Sequence, residues 1–185
     1  MRKLIYAINL TIDGCFDHTK VNGDDAMLEY WTQVLREADL LIYGRITYQL
    51  MVPYWPDVAK NRTMPKAGIE FADTFDSLDK VVFSRSLAST EDKKTRIINT
   101  DLQAAIRTLK QEPGKDMLLG GVALPSQLIA LGLVDEFLFV VHPVIAGEGK
   151  RLMEGIDLRE KVPLTLIDSK TLQSGRVALR YKGLH

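Results

Sequence analysis

The sequence has one cysteine, no net charge and no long apolar run. Cys15 cannot form an intramolecular disulfide, so a reducing compartment, the cytoplasm, is expected. Lys plus Arg and Asp plus Glu both number 24, which leaves no overall field to attract a polyanion and argues against a nucleic-acid partner. Apolar runs such as 137–141 are far shorter than the ~20 residues that span a bilayer, so no membrane-spanning segment is expected.

Length and composition are those of a globular protein. Because domains average roughly 100–200 residues, we predict a single domain over residues 1–185. Hydrophobic residues make up 46% of the chain, enough to form a core without disulfides or metals. His18, His142 and His185, taken with Cys15, show no spacing typical of metal ligands. We therefore predict no metal site and interpret His142 as a hydrogen-bonded core residue.

Short apolar runs alternate with helical patterns along most of the chain. Continuous runs of this length are typical of strands that are buried on both faces, and their alternation with helices predicts a mostly parallel sheet covered by helices on both faces. Residues 164–172 and 176–182 flank Gln173-Ser174-Gly175 and predict a C-terminal antiparallel hairpin. The predicted strands are 4–10, 40–43, 81–83, 97–98, 117–119 and 137–141, and the predicted helices are 24–37, 101–111 and 122–131.

Residues 52–76 carry the turn signals Pro53, Pro56, Pro65 and Gly68. The segment is too long for an ordinary connection, so we predict a functional loop that contains a short helix. Its Tyr54-Trp55-Pro56 sequence has two interpretations. The aromatic rings could stack on a heterocyclic ligand, or they could pack the loop against the protein.

Small residues and arginines follow three of the predicted strands, at Gly44-Arg45, Ser84-Arg85 and Gly120-Gly121. Ligands of open α/β sheets bind outside the carboxyl ends of strands. Glycine lets the backbone approach a phosphate closely, and arginine donates two hydrogen bonds to phosphate oxygens. Together the three strand ends suit a pyrophosphate and one further phosphate, as in NADPH. The sequence contains neither G-x-G-x-x-G nor G-x-x-x-x-G-K-[ST], which excludes the standard Rossmann and P-loop motifs.

Residues 39–48 (DLLIYGRITY), 82–85 (VFSR) and 119–121 (LGG) resemble the three cofactor-contacting stretches of the dihydrofolate reductase fold. Residues 10–14 (LTIDG), 132–137 (GLVDEF) and 142–149 (HPVIAGEG) resemble more closely the pyrimidine reductase of riboflavin biosynthesis. The resemblance extends to about Met153. It implies a dihydrofolate-reductase-like three-layer α/β fold, in a form without the deaminase domain that is commonly fused to that enzyme.

The same resemblance implies a function. It indicates an NADPH-dependent reductase that transfers hydride to a C=N or C=O group of a small heterocycle, similar to 5-amino-6-(5-phosphoribosylamino)uracil reductase, and often a homodimer. Position by position it assigns Gly44, Arg45 and Thr47 to the cofactor phosphates, Ser84 and Arg85 to the adenosine 2′-phosphate, and Gly120, Gly121 and Val122 to the pyrophosphate. Arg85 therefore favours NADPH over NADH.

The substrate side carries fewer signals. Asp13 matches the pyrimidine reductase pattern and could bind a polar group of the substrate, or it could be a turn aspartate before Gly14. Dihydrofolate reductases carry an acidic residue on the following helix, where Asp25 and Glu29 are the choices here, although acids in a first helical turn also stabilise the helix dipole. We predict Asp13 and Glu29 as catalytic residues. The alternatives are a non-catalytic NADP(H)-binding module and a true dihydrofolate reductase.

Overall fold

The computed structural model describes residues 1–16, 23–156, 158 and 160–184. Strands and helices alternate along the first three quarters of the chain, and two strands follow at the end. The strands are β1 (Leu4–Thr11), β2 (Ala38–Gly44), β3 (Asp79–Phe83), β4 (Thr95–Ile98), β5 (Asp116–Leu119), β6 (Glu136–His142), β7 (Leu164–Thr171) and β8 (Val177–Gly183). The helices are α1 (Asp25–Arg36), α2 (Arg45–Asn61), α3 (Lys66–Ser77), α4 (Leu102–Gln111) and α5 (Ala123–Ala130).

The strands form one eight-stranded sheet in the order β4-β3-β2-β5-β1-β6-β8-β7. Every neighbouring pair within β1 to β6 is parallel, whereas β8 runs antiparallel to both β6 and β7. The predicted mostly parallel sheet with a C-terminal antiparallel hairpin is therefore confirmed. The carboxyl ends of β1 to β6 all lie at one edge of the sheet, as parallel pairing requires.

Successive residues of the central strands enter two different cores, because side chains alternate between the faces of a strand. Leu4 and Tyr6 pack with α4 and α5 on one face, whereas Ile5 packs with α1, α2 and α3 on the other. Each of these three side chains is no more than 2% exposed. Helices thus cover both faces of the sheet, which explains why the strands have continuous apolar sequences.

The prediction of a long loop over residues 52–76 is wrong, because α2 and α3 occupy most of this segment. Pro53 and Pro56 lie inside α2, where each lacks the N–H that would donate to the preceding turn. Packing compensates for this loss: the ring centroids of Trp55 and of Phe71 in α3 lie 4.4 Å apart. Of the two interpretations of Trp55, the structure supports packing.

None of the helices within the described residues is long and apolar enough to cross a membrane.

Candidate cofactor and substrate site

Two of the predicted glycine stretches lie side by side. Gly44 ends β2, Gly120 follows β5, and these strands are paired with Ile42 opposite Leu119. The amide of Gly120 also donates to the carbonyl of Ile42, at 3.0 Å. On the other side of β2, Gly44 is paired with Phe83, directly before Ser84. The structure therefore brings all three predicted strand ends to adjacent positions on one edge.

The backbone at Gly120 and Gly121 approaches its neighbours so closely that a side chain would not fit. A Cβ atom at Gly120 would overlap the ring of Tyr43, and one at Gly121 would overlap the hydroxyl of Thr47. Gly121 also has φ of +91°, a conformation that other residues rarely adopt. Its carbonyl accepts a hydrogen bond from the Tyr6 hydroxyl at 3.0 Å. Glycine at these positions thus allows β5 and its loop to pack against the start of α2.

Two helices begin beside these glycines without side-chain caps. Gly44 is the N-cap of α2 and Val122 is the N-cap of α5. Glycine has no side chain and that of valine is apolar, so neither residue can accept a side-chain hydrogen bond from its helix. The first amides of such helices have no intrahelical acceptor. Together with the dipoles of the two helices, they form an environment that favours an anion such as a phosphate.

The two arginines that were predicted to bind phosphates, Arg45 and Arg85, are exposed at the same edge. Arg45 donates to Gln49 Oε1 at 2.9 Å from the first turn of α2, and Arg85 is exposed in the segment after β3. The Ser84 hydroxyl oxygen accepts hydrogen bonds from the amides of Ser86 and Leu87, at 3.2 and 2.9 Å. Among the residues that the structure describes, no acceptor is recorded for the Ser84 proton, so the hydroxyl could donate to a ligand. These residues could hold the additional phosphate of a dinucleotide.

Asp13 lies in the turn after β1, and its carboxylate holds together two loops. It accepts hydrogen bonds from the Thr11 hydroxyl at 2.5 Å and from the amides of Ala146 and Gly147 at 3.1 and 2.9 Å. The Thr11 hydroxyl, followed by these two amides, holds the pKa of the Asp13 carboxyl well below its usual range. Asp13 is therefore ionised near neutral pH and a poor proton donor. Its predicted role in binding substrate stays a prediction.

The predicted acids of α1 do not join this cluster. Asp25 and Glu29 are exposed, whereas the buried residues of α1 include Leu28, Thr32 and Leu35. A catalytic role for Glu29 stays a prediction, without a contact to support it.

A polar network on the α1 face of the sheet was not anticipated from the sequence. Asn9 of β1 accepts a hydrogen bond from the Trp31 indole at 3.1 Å and lies 3.2 Å from His142 Nε2. His142 Nδ1 in turn accepts from Arg176 Nε at 2.9 Å, and the Arg176 guanidinium pairs with Asp24, the N-cap of α1. The available signal was a polar Asn9 inside an apolar central strand.

His142 is 1% exposed at the end of β6, which confirms its interpretation as a hydrogen-bonded core residue. Burial, and secondarily the Arg176 guanidinium, lowers the pKa of His142 to about 4. The imidazole is therefore neutral at physiological pH.

No group of three or more potential metal ligands occurs in the part of the chain that the structure describes. His18 and His185 lie outside that part.

Comparison with known proteins gives consistent matches. A family model described as the RibD C-terminal domain matches residues 2–178. The uncharacterized protein YyaP of Bacillus subtilis (strain 168) is 34% identical over 184 residues, which covers 97% of this chain and 94% of YyaP.

Solved structures share the fold. RibD of Acinetobacter baumannii superimposes with a TM-score of 0.73 at 17% identity, covering 100% of this chain and 59% of RibD. A Thermotoga maritima diaminohydroxyphosphoribosylaminopyrimidine deaminase/5-amino-6-(5-phosphoribosylamino)uracil reductase has a TM-score of 0.68 at 14% identity, covering 99% of this chain and 57% of that protein. This chain therefore spans little more than half the length of these two proteins.

Replacing Gly121 should test the close approach to Thr47. Gly132 also has positive φ, but a Cβ there would meet nothing within 4 Å. Gly132→Ala should lower the free energy of unfolding by about 1 kcal/mol through backbone strain alone. Gly121→Ala should cost roughly 1–3 kcal/mol more because of the overlap. Urea denaturation of both variants measures the difference, and equal losses would contradict the close packing.

His142 should make stability depend on pH. Its pKa is about 4 in the folded protein against 6.5 for an ordinary histidine, so the unfolded chain binds the proton more readily. The free energy of unfolding should fall on acidification from about pH 6.5 towards about pH 4, by at most about 3 kcal/mol from this residue.

The control for this prediction is His142→Gln. The variant should lose this part of the pH dependence in urea denaturation, while the effects of the carboxylates persist. An identical pH profile in both proteins would show that His142 is not the group responsible.

Proposed function

This chain belongs to the RibD C-terminal domain family, and from that membership we propose that it is an NADPH-dependent reductase acting on a small heterocycle. The proposed reaction transfers hydride to a C=N or C=O group, as in the riboflavin-pathway reductases. The observation that carries the proposal is the packing of Gly121 against Thr47 beside two uncapped helix N-termini. A reducing compartment such as the cytoplasm is part of the proposal, supported by the lone Cys15.

The residues at this edge fit the phosphates of NADPH. Gly120 and Gly121 are partly exposed, and they let the loop after β5 pack closely against Tyr43 and Thr47. A pyrophosphate could then approach the first amides of α2 and α5 beside this loop. Thr47 lies directly beside Gly121 and can donate its hydroxyl to the same group. Ser84 and Arg85 follow β3, two strands away from β5, which separates them from the pyrophosphate as a 2′-phosphate requires.

Bound NADPH would supply the hydride. The chain itself contributes positioning, because its phosphate-binding amides belong to helices packed on the sheet. Neither Asp13 nor His142 is suited to donate a proton near neutral pH: the pKa of the Asp13 carboxyl lies well below its usual range, and the pKa of His142 is lowered to about 4. We therefore propose that the proton added to the substrate comes from solvent.

A true dihydrofolate reductase is less well supported. The resemblance to that enzyme calls for an acid on the helix after the first loop, facing the substrate. In this structure Asp25 and Glu29 are exposed, and Asp24 pairs with Arg176. A non-catalytic NADP(H)-binding module remains the alternative, and consumption of NADPH with a pyrimidine or pterin substrate would eliminate it.

Arg85→Ala should distinguish NADPH from NADH. If Arg85 contacts the 2′-phosphate, the variant should bind NADPH roughly tenfold or more weakly, because a charge-assisted hydrogen bond is lost. Its affinity for NADH, which has no 2′-phosphate, should not change. Fluorescence titration of both cofactors measures the two constants.

The control for Arg85→Ala is Arg107→Ala, which removes an exposed arginine of α4. It should leave both affinities unchanged. Equal loss of NADPH and NADH affinity in Arg85→Ala would remove the 2′-phosphate role. Failure of the unmodified protein to bind either cofactor would end the proposal of a reductase.

We also propose a homodimer, which the family resemblance implies, through the face of β8 and β7. All eight residues of β7 are exposed, and Leu166 lies opposite Tyr181 on the sheet. Light scattering should give twice the mass of one chain, and Leu166→Lys should halve it, since a buried unpaired charge is unfavourable. Thr165→Lys, also on β7, is the control. A monomer in the unmodified protein would contradict this part of the proposal.

A further inference from the structure

Part of β1 is accessible to solvent although β1 lies in the middle of the sheet. Leu4, Ile5 and Tyr6 are at most 2% exposed, but residues 7–10 are all partly exposed. β1 is flanked by β5 and β6, so this exposure must come from the faces of the sheet. This part of the strand can therefore be reached from a face of the sheet, towards the same edge as the glycines of the candidate cofactor site.

Asn9 lies in this partly exposed stretch with its carboxamide in a defined orientation. The indole of Trp31 can only donate, so the atom 3.1 Å from its Nε1 must be the carboxamide oxygen. That assignment directs the NH2 group of Asn9 away from Trp31. Within residues 1–16, 23–156, 158 and 160–184, this NH2 group has no hydrogen-bond partner.

The histidine on the other side of Asn9 imposes the same orientation. Arg176 can only donate, so His142 Nδ1, at 2.9 Å from Arg176 Nε, must accept. The proton of the neutral ring is then on Nε2, which donates to Asn9 Oδ1 at 3.2 Å. Two donors thus converge on the oxygen of Asn9, and rotation of the carboxamide would place its NH2 group against both of them.

We propose that Asn9 binds the substrate by donating its NH2 group to a ring carbonyl of a pyrimidine-like heterocycle. This inference rests on the proposed reductase function and names the substrate contact of that site. Trp31 and His142 are positioning residues, because they act through Asn9. A ring carbonyl is the expected partner, because the NH2 group of Asn9 can only donate and therefore selects an acceptor. A planar heterocycle can lie against the strand.

Asn9→Asp is the decisive variant. Aspartate has the same shape and keeps an oxygen for Trp31 and His142, but it replaces the donating NH2 group with an acceptor. Binding of 5,6-diaminouracil to the NADPH-saturated protein should weaken by at least about tenfold. The affinity for NADPH should stay unchanged. Asn61→Asp makes the same chemical change at an exposed position in α2 and should alter neither affinity.

A second probe tests the chemical class. In 2,4,5,6-tetraaminopyrimidine both ring carbonyls are replaced by amino groups. It should bind the unmodified protein at least about tenfold more weakly than diaminouracil does. Its affinity should differ little between the unmodified protein and Asn9→Asp. Calorimetric titration measures both ligands.

NMR of the unmodified protein gives a result that does not depend on the variant folding. The side-chain amide resonances of Asn9 should shift on addition of diaminouracil. In Trp31→Phe they should already be displaced in the ligand-free protein, because one of the two donors to the oxygen is missing. A purely structural Trp31 would leave them in place.

Three outcomes would overturn the inference. These are equal diaminouracil affinity in Asn9→Asp and the unmodified protein, unshifted Asn9 resonances in the complex, and no binding of diaminouracil to protein that binds NADPH. The last result would leave the reductase proposal intact, whereas loss of NADPH binding in the unmodified protein would end that proposal first.

Discussion

Parallel pairing of β1 with both β5 and β6 is the constraint on which the rest of this structure depends. Parallel strands cannot be joined by tight turns. Most connections here cross a face of the sheet through helices, whereas residues 84–94 join β3 to β4 without one. The crossings bury both faces, and they direct every carboxyl end of β1 to β6 to one edge. The glycines, the arginines and Asn9 lie towards the same edge of the sheet because of that single geometric requirement.

The proposed cofactor side and the proposed substrate side of this edge are built differently. Backbone amides and glycines dominate the cofactor side, where close approach matters more than side-chain chemistry. On the α1 side a chain of hydrogen bonds runs from Asp24 through Arg176 and His142 to Asn9. Burying these groups is unfavourable unless they are paired, and the network satisfies His142 on both ring nitrogens. The same bonds that compensate burial also orient Asn9.

The sequence predicted the elements in which local pattern and tertiary packing agree. The six parallel strands and the C-terminal hairpin were predicted because apolar runs and turn residues mark them directly. Residues 52–76 were predicted wrongly, since Pro53 and Pro56 oppose a helix locally. Tertiary packing favours one, including the contact of Trp55 with Phe71 and the burial of Val52 and Phe75 in the same core. Asp13 shows a similar limit: its spacing before Gly14 was visible, but its bonds to Ala146 and Gly147 join distant parts of the chain.

The sequence by itself determined the fold class and the strand ends at which the glycine and arginine residues lie. Each of these follows from residues close together in the chain, through periodicity, turn preference and the chemistry of phosphate binding. Only the tertiary structure decided that Asn9, Trp31 and His142 meet, because they lie on β1, α1 and β6. The direction of a carboxamide depends on which donors surround it, and donors more than a hundred residues apart leave no local pattern.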